Sequence, residues 1–178
     1  MIAVAVASGR SIGPTVLVSG KTVGVDDFAS ANASLTQLER LDLDALRLMF
    51  RVERAGQEFY ERIAAGIGNE EAAGLLRANG REELKHAERI GRMIGIKQGH
   101  EFVPTAEDLA PLAVNLPDPV PVELLPHIVA GEVAGDASYQ KWADAEPDPE
   151  VQRLLRLNGR EETIHSERVA SVLGLLGA

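Results

Sequence analysis

The chain has 178 residues, 45% hydrophobic but only 4% aromatic, which allows one sizeable core packed through aliphatic side chains and leaves little room for a second domain. A net charge of -9 opposes binding to a phosphate backbone, which needs clustered Lys and Arg, and favours cations. With no cysteine, disulfides, thiolate zinc and iron–sulfur centres are excluded, so any metal must sit on His and carboxylates.

Residues 1 to about 35 carry Gly9, Gly13, Pro14, Gly20 and Gly24 between short β-branched runs such as Thr15 to Val18. This pattern predicts an extended arm or a hairpin, with no helix. The apolar start, Met1 to Ser8, has no Lys or Arg ahead of it and is too short to cross a bilayer. No signal peptide or membrane span is expected, and a cytoplasmic location follows by default.

From 36 to 178 the periodicity is helical. Thr36 with Glu39 reads as a capping box opening a first bundle helix, about 37–66, whose inward stripe is Leu46, Met49, Glu53, Gly56, Tyr60 and Ile67. Asn69 caps a second, about 70–95, with Leu76, Asn79, Glu83, His86, Ile90 and Met93 inward. Residues 97–121 hold Pro104, Pro111, Pro117, Pro119 and Pro121, too many for a helix. At roughly 3.3 Å per extended residue they reach the length of a bundle as a crossover. A third helix, about 122–145, turns Leu125, Val129, Glu132, Gly135, Tyr139 and Ala143 inward. The fourth, about 149–175, starts at an Asp148 cap with Pro149 in its first turn, and its stripe is Leu155, Asn158, Glu162, His165, Val169 and Val172. The fold class predicted is all-α, an antiparallel four-helix bundle with a long crossover and an N-terminal arm.

Shifted by 79 positions, the segment from Leu75 to Arg89 matches Leu154 to Arg168 at eleven of fifteen residues. The same shift takes Glu53 to Glu132, Gly56 to Gly135 and Tyr60 to Tyr139. The bundle is therefore two copies of one helical hairpin, related by a pseudo-twofold axis.

Each copy places Glu and His three residues apart, about 60° in azimuth and roughly 4.5 Å along the axis, so that both reach one metal. The other helix supplies a further Glu. Ionised carboxylates in a core cost several kcal/mol each unless paired or metal-bound. Four Glu and two His facing each other inside a bundle form the donor set of a di-iron or di-manganese site. The metal candidates are Glu53, Glu83, His86, Glu132, Glu162 and His165, and a metal-free polar bundle is the competing reading.

These residues carry a resemblance. Glu53 with Phe59-Tyr60, Glu82-Glu83-Leu84-Lys85-His86-Ala87-Glu88, Glu132 and Glu161-Glu162-Thr163-Ile164-His165 resemble the rubrerythrin-like branch of the ferritin-like superfamily over about 40 to 175. The resemblance implies Glu53 and Glu132 as terminal ligands, Glu83 and Glu162 as bridging carboxylates and one imidazole per metal. It implies two iron ions, with manganese or a mixed pair also suited to the ligands. Two departures stand out. The family's extra carboxylate one turn along the third helix has no counterpart, since Val129 and Gly135 occupy those positions and Asp136 is a marginal substitute, and its Cys-ligated rubredoxin module has no cysteines to build it.

The function expected is reduction of O2 or peroxide at the metal pair, with electrons from iron or an external donor and a homodimer or larger homo-oligomer as the assembly. Oxygenation of an organic substrate, and a metal-storage or structural metal-binding bundle, are the alternatives. Tyr60 and Tyr139, two turns beyond their helix Glu, are catalytic candidates whose hydroxyls reach a carboxylate of the facing hairpin, although satisfied core tyrosines explain them equally. Gly56 and Gly135 suggest close helix approach or room for a small oxidant. Asn79-Gly80 and Asn158-Gly159 suggest either close approach of the second and fourth helices or hydrogen bonds behind the ligands. Glu82 and Glu161 point about 100° away from the ligands and read as solvated partners of Arg81, Arg160 or Lys85. His100 and His127 lie off the stripes.

Overall fold

Side-chain caps set the helix starts in the computed structural model, which describes residues 15–18, 21–24 and 27–178. Asp42 accepts from Ala45 N at 2.9 Å and opens α2 (Leu43–Gly66). Asn69 does the same for Ala72 N at 3.1 Å ahead of α3 (Glu70–Gln98), and Asp148 accepts from Glu150 N and Val151 N ahead of α5 (Pro149–Leu176). Helix α4 (Leu125–Ala145) grows out of a 3-10 turn at Val122–Leu124 and carries Pro126 in its first turn. Gly99 ends α3 in the left-handed conformation at φ 77, where a side chain would be strained.

Two expectations need correction. Residues 28–35, expected in a helix-free arm, form with Thr36 the helix α1 (Phe28–Thr36), capped by a reciprocal pair in which Asp27 accepts from Ser30 N and the Ser30 hydroxyl accepts from Asp27 N. Thr36 therefore ends a helix rather than capping one, and α2 starts at Leu43 instead of about 37. The helical stripe of α1, with Phe28, Ala31 and Leu35 buried, is only nine residues long, and its helicity comes from packing on α2 rather than from its own composition. Ahead of it, β1 (Thr15–Val18) pairs antiparallel with β2 (Lys21–Gly24), Thr15 opposite Gly24. The rest of the predicted arm, including Gly9, Gly13 and Gly20, lies outside the described residues.

The four long helices pack as the repeat predicts, α2 against α3 and α4 against α5, with α3 and α5 meeting across the pseudo-twofold. All six residues of the α3 stripe and all six of the α5 stripe are buried. The crossover is tied along α2 by a row of arginines. Arg47 pairs with Asp108 at 2.6 Å, Arg51 and Arg54 donate to the carbonyls of Ala110 and Leu109, and Arg62 donates to that of Val114. This side-chain row replaces the backbone partners that an irregular segment cannot supply to itself. Farther along, the crossover meets α1, where Phe28 N donates to Ala113 O at 3.0 Å. Among the described residues no helix is long and apolar enough to cross a membrane.

Candidate metal centre

The six predicted ligands converge at mid-bundle, all buried, with both histidines fully so. They form two overlapping groups, Glu53, Glu83, His86 and Glu162, and Glu83, Glu132, Glu162 and His165, each with its donor atoms within 4.8 Å of one another. Glu83 and Glu162 belong to both. Glu83 turns Oε2 toward His86 Nδ1 at 3.8 Å and Oε1 toward His165 Nδ1 at 3.3 Å. Glu162 mirrors it, with Oε1 3.4 Å from His86 Nδ1 and Oε2 3.4 Å from His165 Nδ1. Glu53 and Glu132 each face one histidine, at 3.4 and 3.9 Å. The imidazoles stack across the pseudo-axis, centroids 5.3 Å apart and 17° from parallel.

Electrostatics set this cluster seeking positive charge. Burial, reinforced by the neighbouring charge of Glu162, pushes the Glu83 carboxyl well up, and burial lifts Glu132 to about 7. Burial acts against the charged imidazole at His165, but the carboxylates of Glu162, Glu82 and Glu83 outweigh it and raise the ring to about 12. His86 is raised in the same way by Glu161, Glu162 and Glu53. Protons hold the place of cations when the ring of carboxylates has no other counter-charge.

The donor set fits a pair of divalent ions on this structure's own terms. His86 Nδ1 and His165 Nδ1 are buried without a hydrogen-bond partner, while the opposite nitrogen of each ring is engaged. With Nε2 carrying the proton, each Nδ1 lone pair points at three carboxylates. Four carboxylates also balance two divalent charges.

The engaged nitrogens correct the reading of Glu82 and Glu161 as solvated residues. His86 Nε2 lies 3.0 Å from Glu161 of the other hairpin, and His165 Nε2 lies 3.2 Å from Glu82. Arg89 clamps Glu161 at 2.7 and 2.9 Å, and Arg168 clamps Glu82 at 2.6 and 3.2 Å. Glu161, opposed by burial but favoured by His86 and Arg89, is held down to about 2, so its carboxylate stays ionised and fixes the tautomer of His86. The 100° offset from the ligands is real, and the neighbouring helix lies along that direction. Arg89 and Arg168 were also missed; their one signal was their place inside the repeated segment.

The repeated Asn-Gly pairs divide their labour. Asn158 Oδ1 accepts from Arg89 and its amide donates to the Tyr139 hydroxyl, whereas Asn79 Oδ1 accepts from Arg168 and its amide donates to His165 O. The glycines serve approach within a hairpin rather than between α3 and α5. A Cβ at Gly159 would lie 2.9 Å from Tyr139 Cβ, and one at Gly80 would lie 3.2 Å from Tyr60 Cβ. At Gly56 a Cβ would meet the carboxyl carbon of Glu83 at 3.0 Å, so that glycine makes room for a ligand rather than for backbone.

Both tyrosines reach across the bundle. The Tyr60 hydroxyl donates to Glu132 Oε1, and the Tyr139 hydroxyl to Glu53 Oε1. His100 and His127 are exposed, away from the cluster.

The family model described as Rubrerythrin matches residues 44–173, the whole of the four long helices apart from a residue at the start and a few at the end. No curated protein and no solved structure gives a match. The span of the family match, over the same residues that carry the paired carboxylate and histidine triads, identifies the chain as a member of the rubrerythrin family.

Proposed function

We propose that the cluster holds two iron ions and reduces peroxide or O2, with Glu53 and Glu132 as terminal ligands, Glu83 and Glu162 as bridges and one histidine on each metal. The observation that carries this reading is the split of Glu83 and Glu162, each turning one oxygen to either histidine. A carboxylate serving one metal has no reason to divide its oxygens between two nitrogen donors. Two ferrous ions bound there supply the two electrons that cleave an O–O bond.

The protein's own contribution is position, charge and dryness. Glu161 and Glu82 aim the imidazoles, the buried carboxylates match the ions in charge, and the Tyr60 and Tyr139 hydroxyls hold protons against Glu132 and Glu53. An external donor replenishes the electrons; these 178 residues hold no cysteine with which to build a thiolate-ligated second iron centre.

Anaerobic titration with Fe(II), then stopped-flow mixing with peroxide or O2, tests the proposal. Saturation at two irons per chain and rapid oxidation by peroxide are expected, with Glu83→Ala losing the second iron. Saturation below two, or a Glu83→Ala variant that binds and reacts like the parent, sinks it. Oxidation that needs an apolar organic ligand would point to an oxygenase instead.

A further inference from the structure

The pseudo-symmetry that pairs every ligand breaks just outside the site. Tyr139 packs edge-on against Trp142, ring centroids 5.6 Å apart and 80° between planes, and both rings are buried. Tyr139 also lies 6.4 Å, centroid to centroid, from His86 and donates to Glu53. Shifted by 79 positions, Trp142 falls on Ile63, and the aromatic neighbour of Tyr60 is Phe59, 5.6 Å away. Phenol and indole are the side-chain rings that give up one electron most readily, and a phenyl ring does not. Trp142 in turn donates its indole N–H to Leu38 O at 2.9 Å. Leu38 sits in the turn between α1 and α2, flanked by exposed Gln37, Glu39 and Arg40.

We propose that Tyr139 and Trp142 form a one-electron path between the metal centre and the α1–α2 turn, and that Tyr60 is not part of it. The path rests on the redox reading of the centre given above. After peroxide has oxidised the metals, Tyr139 passes one electron to the centre and its phenolic proton to Glu53 Oε1 along their hydrogen bond. Trp142 then returns an electron to Tyr139, whose proton comes back from Glu53, and the indole is left oxidised by one electron with its N–H still on Leu38 O. A one-electron donor at the turn refills Trp142. Two such passages deliver the two electrons that convert one peroxide, with two protons, to water. The tyrosine beside the site has a built-in proton acceptor in Glu53, whereas the indole farther out keeps its proton, so the hop from Trp142 to Tyr139 is drawn forward by the donor that refills the indole.

The composition makes the test clean, because the chain has one Trp and two Tyr. In the metal-free protein, pulse radiolysis with azide radical oxidises aromatic side chains without any metal. The radical should pass between the two rings, the tyrosyl and indolyl absorptions relaxing together at one rate, in the parent and in Tyr60→Phe, and Tyr139→Phe should slow that exchange at least tenfold. In iron-loaded protein mixed with excess peroxide and frozen, Trp142→Phe should lengthen the lifetime of a tyrosyl radical at least tenfold, and Tyr139→Phe should abolish the indolyl signal. Circular dichroism and iron stoichiometry at parent levels certify the variants as folded. Equal transfer in Tyr139→Phe and Tyr60→Phe in the metal-free protein overturns the path. Fewer than two irons bound, with metal-free transfer intact, overturns the di-iron reading and leaves the Tyr139 to Trp142 connection standing.

Discussion

His86 on one hairpin and Glu161 on the other share a hydrogen bond of 3.0 Å, so the residue that orients each histidine comes from the opposite half of the repeat. Each half-site is thereby completed by its twin, and neither hairpin can aim its own imidazole. Removing the charge at Glu161 leaves the ring its packing but not its preferred tautomer. Glu161→Gln is expected to weaken metal binding by roughly 10–100-fold with the fold intact, and Glu88→Gln, on the exposed face of the same repeated segment, to leave it unchanged. Competition with a chromophoric chelator measures both. Parent-like affinity in Glu161→Gln would remove the orienting role.

The carboxyl of Glu132 gives a pH signature in the metal-free protein. Its ordinary value is 4.5 and burial raises it to about 7 in the fold, so folding favours the protonated form. That contribution is complete below 4.5 and is lost as pH rises through about 7. Glu132→Gln copies the protonated shape and cannot titrate. Thermal melts of metal-free parent and variant should therefore diverge between pH 4.5 and 7 in the variant's favour, by on the order of 3 kcal/mol, and run parallel above. A difference that does not change with pH would refute this.

Metal should reverse that pattern. Ions that bind only the native cluster stabilise it by RT ln(1 + [L]/Kd), about 2.7 kcal/mol at a hundredfold excess over Kd. Binding must also displace the protons held on the histidines and on Glu83 and Glu132. Addition of Fe(II) or Mn(II) is expected to raise Tm, more strongly at pH 7 than at pH 5, and to release protons measurable in weakly buffered solution. Loss of the Tm shift on adding a chelator checks reversibility.

Gly159 and Gly80 predict unequal penalties. A Cβ at Gly159 falls 2.8 Å from Asp136 Oδ1 and Gln140 Nε2 as well as against Tyr139, whereas at Gly80 the nearest atoms are 3.2 Å away. Alanine gains about 1 kcal/mol of helix propensity at either site. Overpacking of about 1–3 kcal/mol exceeds that gain at Gly159, so Gly159→Ala lowers stability in urea melts and Gly80→Ala changes it much less.

Asp108 is buried, accepts from Thr105 N and Oγ1 at 2.8 Å each, and is paired with Arg47. Asp108→Ala strands those donors and is expected to cost about 1–3 kcal/mol and to open the crossover. Limited proteolysis should then cut between residues 104 and 111 faster than in the parent, with the helices still intact by circular dichroism.

The chain's pattern by itself determined the four long helices, their pairing into two hairpins and which six side chains meet, because spacing of three and four residues fixes a helical face and a 79-residue repeat fixes the symmetry. Tertiary packing decided what sequence spacing does not encode. Glu82 and Glu161 lie off their own helix's inward face, and only the placement of α3 beside α5 turns that direction into a bond to the opposite histidine. The arginine row of α2 reads as a solvated face until the crossover lies along it. A nine-residue helix such as α1 carries too few turns to declare itself and exists because α2 offers it a surface. Contacts within a helix are written at fixed spacings along the chain, whereas contacts between helices depend on an approach and rotation that no single helix specifies.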